Sequence, residues 1–187
     1  MKNEENPYIC PSRLAGSLDN SFRRWLQTPK KILKPYIKEG MTVIDLGCGP
    51  GVFTVEIANL VHESGQVIAA DLQDGMLEIV AGKLKGTELE KRVTLHKCQE
   101  KSIGLTAKAD FVLAFWMVHE VPDHERFFEE FKTILKPGGK VYIIEPKVHV
   151  THAAFEKMTA GLIKAGFEII ERPGVFFSRA ILLTHKK

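Results

Sequence analysis

Paired cysteines, long apolar runs and low-complexity tracts are all missing from this chain of 187 residues. Its three cysteines, Cys10, Cys48 and Cys98, are odd in number and none forms a Cys-x-x-Cys pair. That argues against a disulfide scaffold and a structural zinc site and fits a reducing compartment. The longest apolar stretch, residues 111–118, runs to eight residues, far short of the roughly 20 that a membrane-crossing helix needs. Residues 1–8 are polar and charged, so no secretory leader is visible. With no repeat and no Gly/Ser-rich linker, the expectation is one soluble, cytoplasmic domain without a membrane partner.

The positive charge is confined to the start of the chain. Residues 1–40 hold eight bases against four acids, which leaves 18 bases against 19 acids in the remainder. Because acids interrupt the excess, it reads first as a solvated helix face, with attraction of an anionic substrate or RNA as the sharper alternative.

After Gly40, apolar runs alternate with amphipathic, helix-length segments. The runs are residues 42–46, 67–71, 93–97, 110–115, 140–145, 167–170 and 176–183. Helical spacing joins Phe53, Ile57, Leu60 and Val61; Met76, Leu77, Val80 and Leu84; Phe127, Phe128, Phe131, Ile134 and Leu135; and Phe155, Met158, Leu162 and Ile163. Strands that are continuously apolar predict a sheet covered on both faces, with parallel strands joined by helical crossovers. Pro50-Gly51 and Pro122-Asp123 read as helix starts, Asp74 as a cap, and Lys136-Pro137-Gly138-Gly139 as a helix stop. Only residues 171–175 separate the last two strands, which predicts an antiparallel pair. The expected fold is α/β, a Rossmann-like, doubly wound, seven-stranded and mostly parallel sheet with its last strand reversed.

Two stretches suggest a ligand. Val43-Ile44-Asp45-Leu46-Gly47-Cys48-Gly49-Pro50-Gly51 reads as a buried strand entering a glycine turn and then a helix, and Asp71 closes the next apolar run as a carboxylate able to hold a sugar diol. Together they describe a nucleoside-cofactor pocket. The third glycine stands at 51, and Val52 occupies the position where a dinucleotide fingerprint needs glycine or alanine. The spacing therefore disfavours an NAD oxidoreductase and favours S-adenosylmethionine.

On these motifs, on residues 110–113 leading to His119-Glu120-Val121-Pro122-Asp123, and on Leu135-Lys136-Pro137-Gly138-Gly139-Lys140, the chain from about residue 36 onward resembles the class I S-adenosylmethionine-dependent methyltransferases. The resemblance implies strand order 3-2-1-4-5-7-6, with the cofactor at the carboxyl ends of strands 1 and 2. Gly47, Cys48, Gly49 and Gly51 would lie against its methionine part. Asp45 would face its ammonium or serve as a structural hydrogen-bond partner. Asp71 would take the ribose diol, and Leu72 and Met76 would wall the adenine, Met76 being otherwise a core residue of its helix. Gln99 or Glu100 would approach the adenine amino group, where an aspartate is more usual, and Ala114 and Phe115 would border the cofactor.

The resemblance puts the acceptor against residues 114–120. His119 is the base available there at neutral pH, with a structural or substrate-shaping role as its alternative, and Phe115 or Trp116 would wall in the methyl group or an aromatic substrate. The Asp/Asn-Pro-Pro-Tyr motif of adenine amino methylation and the Pro-Cys pair of cytosine methylation are both absent, so a nucleic-acid partner is not expected. His149 and His152 lack a cysteine or acid to complete a metal site, and no metal is expected. Residues 18–26, with Phe22, Trp25 and Leu26 on one side, read as a lid. That divides the single domain into a helical lid segment over 1–40 and a core over 41–187. The reading that results is a methyltransferase for a small-molecule acceptor. RNA or protein methylation and a non-catalytic cofactor-binding protein are the alternatives.

Overall fold

The computed structural model describes residues 28–185, so the lid assigned to residues 18–26 lies outside them. Seven strands, β1 (Thr42–Leu46), β2 (Gln66–Asp71), β3 (Val93–Lys97), β4 (Ala109–Phe115), β5 (Leu135–Pro146), β6 (Phe167–Glu171) and β7 (Ser178–His185), form one sheet in the order β3-β2-β1-β4-β5-β7-β6. The first five run parallel, and β7 lies antiparallel to both β5 and β6. The α/β, doubly wound architecture is the one expected from the residue pattern.

The helices are α1 (Pro29–Leu33), α2 (Val52–Val61), α3 (Asp74–Leu84), α4 (His124–Ile134) and α5 (His152–Lys164). Alternate strand residues feed two apolar layers. Ile44, Val112, Ile143 and Leu183 pack with Phe128 and Phe131 of α4 and Leu162 of α5. Their chain neighbours Val43, Phe111, Ile144 and Leu182 pack with Leu33 of α1 and Phe53 and Ile57 of α2. Period-2 strands are thus sandwiched between period-3.6 helices, and burial of both faces drives the assembly.

Four details differ from the sequence-based expectation. Strands β3 and β4 are joined by residues 98–108 without a helix, because this stretch buries only Ile103 and turns at Gly104, whose φ is +69°. Lys136-Pro137-Gly138-Gly139 follows the end of α4 but is drawn into the bulged start of β5, where Ala109 pairs with Leu135 and Phe111 already pairs with Lys140. Asp74 is the first residue of α3 and not its cap; Gln73 is the cap, and Asp74 pairs with Lys97 at 2.7 Å. The core also reaches back before residue 41, since Leu33 and Ile37 are buried against Phe111 and Tyr142. Among the described residues, no helix is long and apolar enough to cross a membrane.

Candidate functional site

The carboxyl ends of β1 and β2 meet because the two strands pair in parallel register, Leu46 opposite Ala70. The amides of Gly47 and Cys48 both donate to the Ala70 carbonyl, at 2.8 and 3.1 Å, which folds the glycine turn over the end of β2. Gly47, Gly49 and Gly51 have φ of +69°, +52° and +80°. That left-handed region costs a residue with a side chain roughly 1–2 kcal/mol. At Gly47 a Cβ would also stand 2.8 Å from the Met117 side chain, so only glycine lets β1 exit there. A Cβ on Gly49 would meet nothing within 4 Å. Gly49 lines a cavity of about 930 Å³, and its bare backbone faces open space that a ligand could fill. Such a volume lies at the upper end of the roughly 300–1,000 Å³ typical of ligand pockets, enough for two reactants side by side.

Asp71 is 7% exposed. Its Oδ2 accepts the Gly49 amide at 2.8 Å and its Oδ1 the Gln73 amide at 2.9 Å, so acid and glycine turn are locked together. Burial raises its pKa, opposed by those amides and by Lys97. The amides do not exhaust the roughly four acceptor sites of a carboxylate. Asp45 is buried at the end of β1 and accepts the Thr54 hydroxyl at 2.6 Å. The small, β-branched Thr54 sits inward on α2 where an apolar residue would otherwise pack.

Burial pushes the Asp45 carboxyl up to about 7; Thr54 pulls it down and Asp71 pushes it further up. A folded-state pKa above the ordinary 3.8 means that the folded protein holds a proton the unfolded chain releases. Stability therefore falls as pH rises from about 4 to about 7 and stays reduced above that range. Asp45→Asn, which keeps an oxygen for Thr54, is expected to raise the melting temperature of the free protein by several degrees at pH 8 and not at pH 4. Scanning fluorimetry across that range checks it. The slope that remains belongs to the other shifted groups, Asp71, Glu56, Asp110 and His119, and an unchanged slope in the variant would mean that Asp45 is not the group titrating.

The other end of the cavity is built by the register of β4 on β5, Phe115 opposite Ile144. Trp116 follows with φ of +56°, a conformation bulky residues rarely adopt. It is held by its amide on the Ile144 carbonyl at 2.7 Å and by its indole N–H on Ser178 Oγ at 3.0 Å. This bend starts a short 3₁₀ turn, Val118–Glu120, beside the end of β5. There Glu145, fully buried, accepts the Val118 amide at 2.8 Å through Oε1 and His119 Nδ1 at 2.5 Å through Oε2. His149 stacks on His119, with ring centres 5.8 Å apart and planes 4° apart. Burial pulls the His119 pKa down, but the hydrogen bond and charge of Glu145, with Glu120, outweigh it and the value is raised.

The structure brings ten of the sequence-predicted residues to this cavity beside Gly49: Asp45, Gly47, Cys48, Asp71, Leu72, Met76, Gln99, Glu100, Phe115 and His119. Two others do not line it. Gly51 faces α3, where a Cβ would stand 2.9 Å from Val80 Cγ2, and Ala114 points into the core between the sheet and α4. Their places are explained by packing. Residues that sequence reading missed are Glu145, Met117, Cys98 and His149. Glu145 ended an apolar run and gave no signal of its own, since its partner lies 26 residues earlier. Burial raises both Cys48 and Cys98, the latter to about 12, so both remain thiols at neutral pH and offer no thiolate. No group of three His, Cys, Asp or Glu side chains able to hold a metal is found among the described residues.

Comparison with known proteins points in one direction. Residues 37–170 match the family profile described as a methyltransferase domain. Demethylmenaquinone methyltransferase of Lactobacillus johnsonii is 32% identical over 141 residues, covering 74% of this chain and 54% of that protein. The chain spans about half the length of the curated relatives it matches. A crystal structure of an S-adenosylmethionine-dependent methyltransferase from Aquifex aeolicus superposes with a TM-score of 0.85 at 28% identity, covering 94% of this chain and 98% of that one. The ribosomal protein L11 methylase of Lactobacillus delbrueckii superposes at 0.69 with 16% identity, over 88% and 80%, a likeness of fold alone.

Proposed function

This chain belongs to the class I S-adenosylmethionine-dependent methyltransferases, and we propose that it carries a methyl group from that cofactor to a small, flat, largely apolar acceptor. One observation carries the reading. A single cavity has an acid-and-glycine end at Asp71 and Gly49 and an aromatic end bearing a histidine at Phe115, Trp116 and His119. The residues at the first end suit the cofactor. Asp71 offers its remaining acceptor capacity to the ribose diol, and each such bond is strengthened by its charge. Asp45, a buried acid whose partners, the hydroxyl and backbone of Thr54, carry no charge, gains a cation in the ammonium of the methionine part. Gly47, Cys48 and Gly49 present backbone at close range, with Gly51 setting the turn from behind. Leu72 and Met76 take one face of the adenine, Gln99 and Glu100 its amino edge, and Phe115 borders the sulfur end with Ala114 behind it.

When bound, the cofactor supplies a methyl carbon already activated by the positive charge on sulfur. What this chain adds is alignment. Holding the acceptor's nucleophile about 3–3.5 Å from the methyl on the side away from sulfur supplies several kcal/mol of barrier reduction. Phe115, Trp116, Met117 and Pro146 shield that space from water, and His119 receives the acceptor's proton. Relatives matched over 63–74% of this chain are named for demethylmenaquinone, a quinone, and a ring of that kind suits an aromatic-walled space. Free thiols at Cys48 and Cys98 suit a reducing, cytoplasmic setting.

The test has two arms. Calorimetric titration with S-adenosylmethionine, S-adenosylhomocysteine and NAD is expected to show binding of the first two and none of the third. Incubation with methyl-labelled S-adenosylmethionine and either 1,4-dihydroxynaphthalene or total RNA is expected to label only the naphthalene. Absence of binding to either adenosyl compound overturns the cofactor reading, and label in RNA overturns the acceptor reading.

A further inference from the structure

Glu145 does more than the fold asks of it: satisfying the buried Val118 amide takes one oxygen, and its second oxygen is spent on His119. It lies fully buried in β5 between Ile144 and Pro146, and among the described residues no lysine or arginine forms a salt bridge with it, although Arg179 stands opposite it in the β5–β7 register. A buried carboxylate without a cation is costly unless hydrogen bonds satisfy it. Here both oxygens are committed to one short turn, Oε1 to the Val118 amide and Oε2 to His119 Nδ1. We infer that Glu145 is the positioning residue that holds the proton of neutral His119 on Nδ1 and turns Nε2 to the cavity as a base, so that the acceptor belongs to the class of acidic hydroxyls and enols. This deepens the reading of the cavity given above and rests on it.

The geometry imposes the tautomer. A carboxylate only accepts, so the nitrogen facing Oε2 must donate, and Nε2 is left with its lone pair. The ring lines the cavity, and the parallel ring of His149 holds its plane. In the step this serves, the acceptor's O–H proton passes to Nε2 while an electron pair of the acceptor forms the new bond to the methyl carbon. The carbon–sulfur bond breaks with its pair going to sulfur, giving a neutral thioether, and the imidazolium afterwards loses the proton to water. Glu145 keeps its charge throughout and stabilises the imidazolium; it takes no proton. An acceptor already ionised, such as a thiolate, would need none of this machinery.

The charged and titratable groups facing His119 are Glu145 from β5, Glu120 from its own turn and His149 from the loop after β5. Glu145→Gln separates positioning from mere packing. The Val118 amide requires an oxygen opposite it, which forces the new amide nitrogen onto His119 Nδ1. Nδ1 must then accept, and the proton moves to Nε2, facing the cavity. Nitrogen-15 histidine NMR of the free protein, well above the ring's titration midpoint, is expected to show the Nδ1–H tautomer in the wild type and the Nε2–H tautomer in Glu145→Gln, with the midpoint moved to lower pH. Turnover of 1,4-dihydroxynaphthalene is expected to fall a hundredfold or more, with the KM for S-adenosylmethionine within about twofold.

A wild-type ring protonated on Nε2 overturns the inference whether or not the variant folds. So does unchanged turnover in a variant whose tautomer has switched. The tautomer is read without any ligand, so its outcome is distinct from that of the cofactor titration, whose failure would strike the binding reading alone.

Discussion

Asp71→Ala is expected to weaken S-adenosylmethionine binding by about a hundredfold or more, measured by calorimetry on protein whose circular dichroism matches the wild type. Two charge-assisted hydrogen bonds to the ribose are lost, each worth about 1.5–3 kcal/mol, and each 1.4 kcal/mol is a factor of ten. A second loss adds to the first. Asp71 also accepts the amides of Gly49 and Gln73, so alanine leaves two N–H groups beside the cavity to find water and frees the glycine turn to move. Asp71→Asn keeps one accepting oxygen and offers an amide that cannot accept, so it should fall between wild type and alanine. Unchanged affinity in the alanine variant would remove this acid from the cofactor site and, with it, the orientation proposed for both reactants.

His119→Gln is expected to lower kcat by about 10²–10⁴-fold at pH 8 while leaving S-adenosylmethionine affinity unchanged, the range seen when a positioned proton acceptor is removed. Its pH dependence carries the sign of the raised pKa. The base is competent only when neutral, so wild-type kcat/KM should climb with rising pH through a midpoint above the ordinary histidine value of 6.5. Below that midpoint the ring is already an imidazolium and cannot take the acceptor's proton. In His119→Gln the climb should vanish, leaving a low rate that follows only the acceptor's own ionisation. A variant that retains the wild-type profile and rate would assign His119 to shaping the acceptor space alone.

The fold was legible because its instructions are local. Val43 and Ile44, Phe111 and Val112, Ile143 and Ile144 alternate between two apolar layers, and Phe127, Phe128, Phe131 and Ile134 repeat at helical spacing; each pattern is complete within one element. The readings that failed depended on a partner elsewhere. Asp74 looked like a cap until Lys97, across the β2–β3 pair, gave it another bond. Leu33 and Ile37 looked like part of a lid segment until Phe111 and Tyr142 offered them a core.

The residues alone thus determined the α/β class, the strand count, the glycine turn and the acid placed beside it, because burial periodicity and glycine chemistry act over a few residues at a time. Only the tertiary structure decided what the acid and the histidine can do. Leu46 opposite Ala70 brings Asp71 under the Gly49 amide, and Phe115 opposite Ile144 brings His119 to Glu145. Both meetings are set by which strands lie side by side. That choice belongs to the packing of the whole sheet against its two helix layers, and a hydrogen bond between residues 26 positions apart exists only once the packing has been made.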